Sequence, residues 1–97
     1  MASMTWDSDA MRTKSAQLKV HAQQYETIRK QLLQTATSIG NAYQSEDNLA
    51  YITRIEQFCV ELQNMTDKLL TASNILLEQA AAYDMQEKNN TRRALSL

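Results

Sequence analysis

The sequence predicts an all-α fold, two long helices doubled back into an antiparallel hairpin, and three observations carry that prediction. Apolar residues recur at seven-residue intervals in two separate runs. Proline is absent and Gly40 is the only glycine, so one strong break divides the chain. Both runs are rich in Ala, Leu, Gln, Glu, Lys and Met, whose intrinsic propensity agrees with the pattern.

In the first run Met11, Leu18, Tyr25, Leu32 and Ile39 step by seven, with Ser15, Ala22, Ile28 and Ala36 at helical offsets on the same face. This predicts a helix over about 8–38. Asp7 and Asp9 suit its start, where carboxylates accept bonds from unpaired amides and favour the positive end of the helix dipole. The segment Ser38-Ile39-Gly40-Asn41 marks a turn, expected over about 39–44. The second row reads Ile55, Leu62, Leu69, Leu76 and Tyr83, flanked by Ile52, Cys59 and Ala80 on one side and Tyr51, Phe58, Met65 and Ala72 on the other. It predicts a helix over about 45–87, with Ser45-Glu46-Asp47-Asn48 offering cap chemistry near its start. From about residue 88 the periodicity fades, and a flexible tail over 88–97 is expected.

At 97 residues the chain is one small domain. Its helices should form a rod with arms roughly 45 and 65 Å long at about 1.5 Å per residue. Two helices cannot cover the second apolar arc, because Leu49, Leu70 and Leu77 add a row beside the seam. Leaving that strip in water costs roughly 25 cal/mol per Å², so two hairpins are expected to pair into a four-helix bundle dimer. The candidate core and dimer interface comprises Met11, Leu18, Tyr25 and Leu32 from the first helix. From the second it takes Ile55, Phe58, Leu62, Leu69, Leu70, Leu76 and Leu77.

Ten Lys plus Arg against eleven Asp plus Glu leave a formal charge of −1, without the basic surplus of a nucleic-acid binder. No stretch approaches the roughly 18 apolar residues of a membrane span. The first ten residues lack the basic and apolar regions of a cleavable leader, so export, if it occurs, is expected to depend on recognition of the chain itself.

Convergent chemistry is sparse. The single His21 borders the apolar stripe of one helix and the single Cys59 lies in the core stripe of the other, with no glycine-rich phosphate loop between them. A seam-edge histidine and a small buried thiol are the readings taken here. No enzyme activity, metal or cofactor is expected. Trp6 precedes the first helix and is read as packing, either stapling its start or covering the open end of the bundle.

The hairpin of about a hundred residues, its central small-residue turn and its leaderless start together resemble the WXG family of type VII secretion substrates, the early-secreted-antigen-like proteins. The family's Trp-x-Gly turn, often followed by x-Ala, aligns with Ser38-Ile39-Gly40-Asn41-Ala42: Gly40 and Ala42 match, and Ser38 stands where the family has Trp. Its secretion signal, Tyr-x-x-x-Asp or Glu near the end of the second helix, fits Tyr83-Asp84-Met85-Gln86-Glu87. The resemblance implies a non-enzymatic protein exported from the cytoplasm, whose Tyr83 and Glu87 are read by the secretion ATPase. It implies a partner too, either a second copy in a homodimer or a related WXG-like or LXG protein. Because the turn lacks the Trp, the chain also looks like the small helical partners of LXG toxins, which help target the toxin for export. A reading from another class is a structural coiled-coil adaptor or filament subunit, although needle-like hairpins typically carry Pro in the turn and this chain has none.

Overall fold

Local capping fixes where each helix begins. Asp7 Oδ1 accepts the Ala10 amide at 2.8 Å, and the Met11 amide donates to the Asp7 carbonyl at 3.1 Å, so Asp7 is the N-cap of α1, Ser8–Ala42. Ser45 does the same for α2, Glu46–Ser96: its hydroxyl accepts the Asn48 amide at 3.2 Å and its carbonyl the Leu49 amide at 3.0 Å. A computed structural model describes residues 7–42 and 45–96. The two helices are its whole regular structure, packed along one another as the expected antiparallel hairpin. Its extents are 78 × 27 × 14 Å. The long dimension matches the about 76 Å that α2 spans at 1.5 Å per residue. Trp6 lies outside the described residues.

The seam is made of small side chains. Ser15, Ala22 and Ala36 are buried in α1, and Cys59, Thr66, Ser73 and Ala80 in α2, each set spaced by sevens or a multiple of seven. Ser15 faces Ser73, and the Cys59 thiol donates to the Arg29 carbonyl at 3.7 Å. Stepping by seven in opposite directions from those contacts brings Ala22 level with Thr66, Ala36 with Ile52, and Ser8 with Ala80. Such a row lets two backbones approach closely, so the large residues on either side straddle the contact instead of filling it. Leu62 is the one large side chain in the buried apolar core, alongside Ala22, Ala36, Cys59 and Ala80.

Two expectations are corrected here. Gly40 does not open a turn: Ser38, Gly40 and Ala42 all lie within α1, and no described residue has a positive φ. Ordinary helical backbone suits glycine when tertiary packing holds it, and α1 continues past Gly40 to Ala42, with the cap of α2 at Ser45. The expected tail over 88–97 is helical as far as Ser96. No Pro or Gly interrupts it. The Ser96 hydroxyl bonds the Arg93 carbonyl at 2.9 Å, and Arg93 places a cation at the negative end of the helix dipole.

Candidate functional site

Residues four after the seam positions fall on one side of the hairpin in both helices, and residues three after fall on the other. The first side is marked by an ion pair between Arg12, four after Ser8, and Asp84, four after Ala80. We call this the back face and the opposite one the front.

Tyr83 is on the front face, half-buried, near the point where α2 runs past the start of α1. One helical turn separates it from Glu87 on the same helix. The nearby Glu87 carboxylate, as a hydrogen-bond acceptor first and as a negative charge second, together with partial burial pushes the Tyr83 pKa up, so the phenol stays neutral through the physiological range. Asp84, between them in sequence, ties the site to α1. The Ser8 hydroxyl first, and the Arg12 guanidinium second, hold its carboxyl below the usual aspartate range. Arg12 is held protonated in turn by Asp84 and, more weakly, by Asp9 3.4 Å away. Tyr83 and Glu87 are therefore together, on a stretch of α2 anchored by cross-helix contacts.

The turn set Ser38, Gly40 and Ala42 is elsewhere. It occupies the last turn of α1, at the opposite end of the rod from Tyr83. There Gly40 closes on α2: a Cβ added to it would stand 3.1 Å from Ile52 Cδ1. Ser38 is exposed.

The candidate interface residues divide. Met11, Leu18, Tyr25, Leu32, Ile55, Leu69 and Leu76 are half-buried on the front face, Leu62 is buried, and Phe58 is 49% exposed. Leu70 and Leu77, also exposed, are on the back.

His21 is exposed, with Nδ1 3.1 Å from Gln24 Oε1, and Cys59 is buried in the seam. No group of three or more His, Cys, Asp or Glu converges among the described residues. No described helix is long and apolar enough to cross a membrane.

Two contacts that sequence reasoning missed are the Arg12–Asp84 pair, which needs the register of the hairpin, and the buried Ser15–Ser73 pair. A signal for the second was present, in serines at the small-residue positions of both heptad rows. Comparison with protein-family models, curated proteins and solved structures finds no match to this chain.

Proposed function

We propose that this chain is a small non-enzymatic substrate or export partner of a type VII secretion system, working as a helical-bundle dimer. Its signal is Tyr83 with Glu87, read by the secretion ATPase. The observation that carries the reading is the placement of the pair: Tyr83 and Glu87 one helical turn apart on a stretch of α2 that Arg12 secures to α1 through Asp84. A signal of this kind must present a fixed pair of groups to its receptor, and a hairpin secured across its two helices supplies the rigidity. The large apolar side chains left half-exposed by a small-residue seam support pairing with another hairpin.

Replacing Tyr83 with Ala removes the phenol from a half-buried position and leaves the seam intact. The variant is expected to fold, with unchanged helix content and mass, and to accumulate inside the cell when the secretion machinery is present. Secretion at the wild-type level overturns the reading. A partner of an LXG-type toxin is the second reading, favoured by Ser38 in place of the family's Trp. Co-purification of this chain with such a toxin, at the expense of its own homodimer, would select it.

A further inference from the structure

We infer that the dimer forms through the front face alone, each hairpin covering the front of a second copy, while the back face stays in water. This deepens the export reading by naming the surface on which its dimer is built.

The two faces differ in charge. In α2 the two front rows, Asn48 to Tyr83 and Tyr51 to Gln86 in steps of seven, hold no charged residue. In α1 the corresponding rows hold only Lys14 and His21. The back rows carry Arg12, Lys19 and Glu26 on α1 and Glu56 and Asp84 on α2. Arg29 shows the same division: it occupies a seam position, yet its guanidinium turns to the back, where Nε donates to Glu26 Oε2 at 2.9 Å. Charges are depleted at the buried centre of an interface and tolerated at a wet surface, so the faces have opposite fates.

The front also holds the larger unsatisfied apolar surface. Ile28, Tyr51, Phe58 and Met65 stand beside the half-buried rows on that side, and Tyr51 is 63% exposed. On the back, Leu49, Leu70 and Leu77 form a row interrupted by Glu56 and Gln63, with Val60 beside it, and the row continues into Asp84, whereas the front rows of α2 hold no charge at all.

Area supports a second copy as the occupant. The length shared by the helices is about 50 Å and two helices side by side are about 20 Å wide, so the front offers on the order of 1,000 Å² per copy. A standard stable interface needs about 800 Å² per partner. A face almost without charge has nothing to repel an identical face, and a two-fold axis places one patch against itself without leaving an open end.

The test compares matched pairs of substitutions, Phe58→Glu with Met65→Glu on the front and Leu70→Glu with Leu77→Glu on the back. Light scattering and sedimentation give mass against concentration, and circular dichroism gives helix content. Wild type is expected at twice 11.1 kDa. The front pair is expected to weaken association by roughly a hundred-fold or more, because it buries unpaired carboxylates, and the back pair by no more than about three-fold. If the front pair unfolds while the back pair remains a folded dimer, the inference stands, since Phe58 and Met65 are too exposed in one hairpin for their loss to unfold it. Three results overturn it: a monomeric wild type at all concentrations, a back pair that dissociates as strongly as the front pair, or a front pair that leaves the dimer unchanged. Secretion of Tyr83→Ala is scored independently of mass, so the export reading and the choice of face fail separately.

Discussion

Ser15 and Ser73 have two hydroxyl protons between them and three polar contacts across the seam. Ser15 Oγ lies 3.0 Å from the Ser73 carbonyl, Ser73 Oγ 3.1 Å from the Ser15 carbonyl, and the hydroxyl oxygens 2.7 Å apart. Whichever way the protons turn, both hydroxyls remain partnered, and the pair locks the register at that layer. Ser15→Ala or Ser73→Ala alone is expected to cost about 1 kcal/mol, while the double variant costs little more than either single one. Chemical denaturation of the four proteins measures that coupling, and simple additivity would show that the serines act separately. Gly40 obeys a different balance. Its backbone is helical, so Ala there gains up to about 1 kcal/mol of helix propensity. Against this stands the 3.1 Å approach to Ile52 Cδ1, the far end of a half-buried side chain that can give by a few tenths of an ångström. Gly40→Ala is therefore expected to stabilise by about 0.5 kcal/mol, raising the thermal midpoint by a few degrees. A fall of the midpoint would show that Ile52 does not give way. The sequence marks Gly40 as special but not why, because punctuation and close approach both select glycine, and only the position of Ile52 separates them.

Between elements, the length mismatch matters most. At 51 residues against 35, α2 continues beyond the level where Ser8 opposes Ala80. Tyr83, Asp84 and Glu87 fall at this junction, and Asp84 fastens it to α1. Because Asp84 is held below its ordinary pKa by Ser8 and Arg12, the stabilisation it gives is complete above the unfolded value of about 3.9. It is lost as pH falls through the lower folded value. Protection of the amides around Ser8–Arg12 and Asp84–Glu87 against hydrogen exchange, relative to the intrinsic rate at each pH, is expected to fall below about pH 4 more than that at Ser15–Ala22, and Asp84→Asn should remove that pH step. Exchange that is uniform along the rod would mean the pair fastens nothing. The existence, type and approximate starts of both helices were legible in the heptad rows, and Asp7 to Asp9 and Ser45 to Asn48 were legible as cap candidates, among which the geometry selects Asp7 and Ser45. The helical stretch after Glu87 was not, because apolar period is a signal of burial, and this stretch is exposed among the described residues; its propensity and end charge sustain it instead.

At the scale of the whole molecule, a two-helix hairpin joined through Ala, Ser, Thr and Cys is a thin structure whose buried core includes one large side chain. Most of the hydrophobic stabilisation its sequence offers, about 1.5–3 kcal/mol for each large side chain fully buried, stays unrealised in a single copy. Association through the front face would realise it, and stability would then depend on concentration. The thermal midpoint of wild type and of the back-face pair should rise with protein concentration, and that of the front-face pair should not. The candidate interface was legible from the sequence only as a set of apolar rows. Phe58 and Leu70 look equivalent there, each beside the same heptad row.

The sequence by itself determined the all-α class, the two helices, and the one-turn spacing of Tyr83 and Glu87, since each depends on spacings of one to seven residues along one helix. Tertiary structure decided what depends on register. Once Ser15 faces Ser73 and Cys59 faces Arg29, the small rows become the seam, Arg12 meets Asp84, and Phe58 and Leu70 part to opposite faces. Helical periodicity says which side chains share a stripe, but the stripe's centre is fixed by how closely a second helix can approach, and small residues permit the closest approach.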